Sequence, residues 1–160
     1  HEYPSSEQMA EIAISAARVV RLFGFDPKVA FVSHSTFGQP STNRTKHIKD
    51  AVEILKQKNV NFEFDGDMQP DVALNEEYKN LYPFSKIVGN ANILIMPGQH
   101  SAAISYKMLK TLGDTKVIGP LLIGLGLPIE IAPLRSSTSE IINLASIAAY
   151  SADVINYEKN

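Results

Sequence analysis

Apolar residues recur along this chain with two alternating periods. Met9, Ile12, Ala13, Ala16, Val19, Val20 and Phe23 fall at helical spacing, with Ser5 and Ser6 ahead of them and Gly24 behind. A hydroxyl before and a glycine after such a stripe predict a helix over residues 6–24. Residues 28–32 follow Asp26 and Pro27 as a short apolar run and predict a strand. A polar loop over 33–43 precedes a helix over 45–58, with Ile48, Ala51, Val52 and Leu55 on one face. A second strand is expected over 61–64, a turn at Asp65, Gly66 and Asp67, and a helix over 71–78. Residues 91–96 form a continuous apolar run, the pattern of a strand buried on both faces. A helix over 101–112 ends at Gly113, a strand is expected over 117–123, and Gly124, Leu125 and Gly126 make a bend. Ser137 caps a last helix from Thr138 to about Ile155. Strands alternating with helices imply an α/β domain with a largely parallel sheet.

Composition narrows the class. One domain of 160 residues is long enough to bury a core, and 44% apolar against 20% charged residues is a globular balance. A net charge of −2 supplies no basic field for nucleic acid. With no Cys there is neither a disulfide nor a thiolate metal site, which agrees with a cytoplasmic expectation. No apolar run reaches the roughly 18 residues that span a bilayer, so no membrane partner is expected. The chain opens on His1 and Glu2 without Met, and a fragment of a longer chain is one reading of that start.

Ligands of open α/β sheets collect on loops at the carboxyl ends of strands. The loop Ser33, His34, Ser35, Thr36 offers hydroxyls and amides that suit an anion or cap the following helix. Asp65, Asp67 and Asp71 cluster around a turn but lack the loop of a calcium site, so turn and cap roles are expected and no metal. His100 precedes a helix, either as a structural donor or as a ligand contact. Ser136, Ser137 and Thr138 either cap the last helix or meet an anion. Gly124, Leu125 and Gly126 lack the third glycine of a dinucleotide fingerprint and imply no nucleotide.

Several segments together resemble the C-terminal half of phosphate acetyl- and butyryltransferases. SEQMA at 6–10 matches the family's opening helix, and VAFVSHSTFG at 29–38 its strand and Ser-Thr turn. FDGDMQPDVA at 64–73 is similar to its Asp-Gly-Glu-Leu-Gln motif, with Asp67 in place of Glu. GNANILIMPGQHSAAISYK at 89–107 is similar to its Gly-Arg-Ala-Asn strand, Pro turn and Tyr-Lys helix. GPLLIGLGLPIEIAPLRSSTSE at 119–140 resembles the segment that carries the family's reaction centre. The subset most similar is the transacetylase-like C-terminal module of bacterial NADP-dependent malic enzymes, in which Ile129 to Ile131 has its counterpart.

The resemblance implies a three-layer α/β/α architecture of the isocitrate/isopropylmalate dehydrogenase-like kind, over residues 1–160. It also implies a loss. The family's catalytic Ser-Arg pair falls on Pro133 and Leu134, and a second Arg falls on Thr111, while its carboxylate is kept at Glu140. Arg135 lies one residue beyond the lost Arg. Acyl transfer between phosphate and a thiol needs cationic clamps and a proton acceptor. The expectation is a catalytically degenerate regulatory or assembly module, responsive to acetyl-CoA through Ser33, Ser35, Thr36, Arg135, Ser136 and Ser137. Ile129, Ile131 and Leu134 are expected to meet the pantetheine arm. NADP, Mg²⁺ or Mn²⁺ and malate would belong to a malic-enzyme catalytic domain in cis, and the chain itself would carry no cofactor. The alternatives are an active phosphate acyltransferase and an α/β binding domain without an acyl-CoA link. The apolar last helix, Ile141, Ile142, Leu144, Ala145, Ile147, Ala148 and Ala149, is expected to be buried and to make a homodimer.

Overall fold

A computed structural model describes residues 2–38, 42–113, 116–125 and 127–158. The chain divides into two compact units, His1–Lys107 and Met108–Asn160. In the first unit, α1 (Ser6–Leu22) leads into β1 (Lys28–Val32), α2 (Asn43–Gln57) and β2 (Glu63–Met68). Two short helices follow, α3 (Pro70–Leu74) and α4 (Glu76–Lys79), then β3 (Ile93–Ile95) and the start of α5 (Gln99–Leu112). The second unit holds the end of α5 and then α6 (Thr138–Glu158).

The sheet order is β2-β1-β3, and both pairings are parallel. β1 is therefore the strand with a ladder on each edge, and alternation sends its side chains to opposite faces. Val29 and Phe31 enter a core with Met9, Ala13, Ile48, Leu55, Ile93 and Ile95, so α1 and α2 cover one face. Ala30 enters the other, with Met68, Val72, Ala73, Ile87 and Ala91, under α3 and the segment before β3. Helix, sheet and helix make the layered α/β architecture that the alternating pattern predicts.

Local chemistry sets the helix starts. Ser5 Oγ accepts from the Gln8 amide at 3.3 Å while Gln8 Oε1 accepts from the Ser5 amide at 2.9 Å, a reciprocal capping box. Thr42 and Thr45 make the same exchange at the head of α2.

Several boundaries differ from those the sequence predicts. Residues 65–67 are not a turn, because β2 runs through them in register with Ala30 and Phe31. A bulge follows, since Phe31 faces Gly66 but Val32 faces Met68. Glycine is what permits this register. A Cβ on Gly66 would stand 2.7 Å from Phe31 Cβ and 2.8 Å from Phe31 O, and its φ of 153° disfavours other residues. The helix expected over 71–78 is two helices, broken at Asn75, whose side chain accepts from the Glu77 amide instead. Residues 117–123 form no strand in the described structure. Pro120 has no N–H for a ladder, and the Leu122 amide donates to Glu130 Oε2 at 3.2 Å. Gly124 makes the expected bend with φ of 82°, while Gly126 lies outside the described residues.

Replacing Gly66 by Ala will push β1 and β2 apart. The expected loss is about 1–3 kcal/mol, the range for overfilling a packed interior, measured by urea denaturation. A neutral Gly66→Ala variant would show that the contact with Phe31 does not hold the register.

Candidate functional site

The residues with candidate chemistry fall in two places, one in each unit. In the first, the chain leaves β1 at a buried backbone. The Ser33 amide donates to Met68 O at 2.9 Å and the Phe37 amide to Asp67 O at 2.6 Å, so the 33–37 loop is sewn to the end of β2. The side chains follow the same direction. Ser35 is fully buried and its hydroxyl donates to Asp67 Oδ2. Ser33 Oγ lies 3.3 Å from Ser35 Oγ, and Thr36 Oγ1 accepts from the Gln69 amide at 3.2 Å. The Ser35 and Thr36 hydroxyls thus tie this loop to the end of β2 and to Gln69, while the Ser33 hydroxyl bonds within the loop. Asp67 is itself fully buried, and its Oδ1 has no partner among the described residues. Of the other acidic candidates, Asp65 lies within β2 and accepts the Gly66 and Lys86 amides, and Asp71 lies inside α3 and accepts the Val72 amide, so the expected turn and cap roles are replaced by local acceptor roles in a strand and a helix.

In the second unit, Pro133, Ser136 and Glu140 line one shallow cleft, about 260 Å³ counting the solvent at its mouth, with Val117, Gly119 and Leu144. Chain order does not make this obvious, since Gly119 reaches it from the far side of an irregular segment. Leu134 points away and is fully exposed, and Arg135 and Thr111 are exposed as well. Ile129 and Ile131, expected as an apolar slot, are about half exposed and line no part of this cleft.

Glu140 is the best-held group here. Its Oε2 accepts the Ser137 amide at 2.8 Å and the Ser137 hydroxyl at 3.0 Å, while Ser137 Oγ accepts the Glu140 amide at 3.3 Å. Ser137 is thus the N-cap of α6 and Glu140 its capping-box partner. The other oxygen, Oε1, accepts from Lys110 Nζ at 3.1 Å. The Ser137 amide, then Lys110, then the Ser137 hydroxyl favour the charged form and lower the carboxyl from 4.5 to about 2. A carboxylate so stabilised is a poor proton acceptor near neutral pH, where a thiol proton must be taken. Sequence reasoning placed Ser137 and Glu140 separately; the Ser-x-x-Glu spacing was the signal that joins them.

α6 is less covered than its composition led us to expect. Leu144 is buried, but Ile141 and Ile142 are 50% and 58% exposed within the described structure. An apolar helix needs cover from somewhere, yet its own unit supplies it only along the Leu144 side.

A family model described as phosphate acetyl/butaryl transferase matches residues 1–149. The chain belongs to that family. It is 48% identical to an NADP-dependent malic enzyme of Rhizobium meliloti over 95% of this chain and 20% of that protein. It is 35% identical to a phosphate acetyltransferase of Bacillus subtilis over 93% of this chain and 46% of that one. Among solved structures, a phosphotransacetylase from Streptococcus pyogenes superposes with a TM-score of 0.88 at 34% identity, covering 94% of this chain and 46% of the other. The chain therefore spans about 20% of the malic enzyme and 46% of the transferases.

The charge on Glu140 makes the cap of α6 pH-dependent. Its folded value lies below its ordinary one, so the charged cap is fully present above about 4.5 and is lost as pH falls toward about 2. A carbon-detected NMR titration is expected to place the Glu140 midpoint near 2 and to move it up in Lys110→Gln. A midpoint near 4.5 in the unmodified chain would refute the arrangement.

Proposed function

We propose that this chain is a catalytically degenerate phosphotransacetylase-like module that regulates or assembles a longer protein, with acetyl-CoA as its effector. One observation carries the reading. Where the family resemblance puts a Ser-Arg pair there are Pro133 and Leu134, and the retained carboxylate, Glu140, is spent on capping α6 and pairing with Lys110. Loss of one preorganised transition-state donor costs about 10²–10³-fold in rate, and this cleft lacks the Ser and both cations. The architecture has meanwhile been kept, and a scaffold without chemistry suits recognition. Ser136 in the cleft and Arg135 beside it are the groups proposed to meet the effector's phosphates. The 33–36 loop, its hydroxyls turned inward, would contribute by shape and backbone.

The similarity to malic enzymes supports a parent that decarboxylates malate oxidatively with NADP and Mg²⁺ or Mn²⁺, held by a catalytic domain in cis. The bare Ile141 and Ile142 face supports a homodimer or larger assembly built on α6. An effector acts on a distant domain only through differential affinity for two states, typically about 1–3 kcal/mol.

Two measurements decide between this reading and an active acyltransferase. Formation of acetyl-CoA from acetyl phosphate and CoA is expected to stay at background. Acetyl-CoA is expected to raise the melting temperature in proportion to the logarithm of its concentration, with the rise reduced in Arg135→Glu. Turnover above background that Glu140→Gln abolishes would establish the transferase instead. Absence of any acetyl-CoA effect would leave a purely structural module.

A further inference from the structure

A second cleft, of about 940 Å³ counting its open mouth, lies wholly in the first unit and, of the candidate residues named above, is lined by His100. It sits where the chain leaves β3 through Pro97 and Gly98 into α5, beside the first turns of α2. β1 lies between β2 and β3, so this junction is where the strand order reverses, the place at which open α/β sheets hold ligands. Its floor is Met9 and Ile48, both buried, and Pro97 and Ile104 extend the apolar wall. Such a wall takes alkyl groups, and the thioether adapts to their shape.

The polar end is narrow and already shows what it accepts. Glu2, on the segment before α1, places a carboxylate oxygen 3.2 Å from His100 Nε2, at the amino end of the 14-residue α5. That segment lies close over Gly98, since a Cβ there would be 2.5 Å from Glu2 O. A helix amino terminus and an imidazole donor favour a carboxylate at this corner. Glu2 holds it through an exposed contact, which outside carboxylates can displace at little cost.

We propose that this cleft binds a short alkyl monocarboxylate, with the carboxylate at His100 in place of Glu2 and the tail over Met9, Ile48 and Ile104. The inference is independent of the acetyl-CoA reading. The probe is hexanoate, titrated into the isotopically labelled chain and followed by NMR, with hexanol and acetate as controls lacking the charge or the tail. Saturable shifts are expected at Gly98, Gln99, His100 and Ile104, with a Kd of about 1 mM, the range open to so small a ligand. Glu2→Gln removes the competing carboxylate and should tighten binding roughly threefold to tenfold, while His100→Gln should weaken it by a similar factor. Both side chains are exposed, so neither variant threatens the fold. Hexanol binding as well as hexanoate, an unchanged affinity in Glu2→Gln, or shifts that do not saturate would overturn the proposal.

Discussion

Everything in the first unit is arranged around the two-sided demand of β1. A strand with partners on both edges and helices over both faces keeps its central residues from water. Val29, Ala30 and Phe31 are accordingly at 0% exposure. That demand fixes the neighbours. Phe31 is so placed that only a glycine can pass it in β2, and the bulge that follows turns Asp67 inward. Asp67 then meets Ser35, the first fully buried hydroxyl beyond the strand. The loop at the carboxyl end of β1 is thus set by packing at its centre.

The same logic separates scaffold from chemistry in the second unit. A capping box asks for a hydroxyl at the N-cap and a carboxylate three residues on, and it satisfies the first amides of a long helix. Ser137 and Glu140 meet that need whether or not a substrate is present. The needs of α6 alone account for both residues, whatever stands at the neighbouring positions. A retained carboxylate is therefore weak evidence of retained catalysis. Its hydrogen bonds, which drive it to about 2, identify it as an anchor of the helix.

The sequence made the parts governed by local rules legible. The limits of β1 follow from its apolar run after Asp26 and Pro27, and the start of α1 follows from Ser5 with Gln8. What local rules left open was decided by pairing. Residues 65–67 carry every mark of a turn, yet β1 draws them into β2, and the spacing of Asp and Gly cannot reveal the partner strand. Residues 117–123 are apolar and β-branched, yet Pro120 and the absence of a described partner leave them irregular. The family resemblance located Pro133 and Glu140 but gave no sign that Lys110, on the preceding helix, would neutralise the carboxylate. The Ser35 and Thr36 hydroxyls, expected to face a ligand, bond to Asp67 and the Gln69 amide, because a loop leaving a buried strand must satisfy its own polar groups before it can serve another molecule.

That ordering of obligations bears on where recognition can reside in such a fold. Polar groups nearest the sheet are consumed by the sheet, so the hydroxyls of Ser33, Ser35 and Thr36 stabilise the loop and have little capacity left for a ligand. Groups at the surface of each unit carry looser ties. Among the described residues His100 meets the exposed carboxylate of Glu2, and Ser136 lines an open cleft in its own unit. A ligand that replaces a loose tie recovers its energy without undoing the core, whereas one that competes for Asp67 must first break a buried hydrogen bond. Within each unit a ligand is therefore accommodated at least cost by surface groups such as His100 and Ser136. There, substitutions change specificity at small cost to stability.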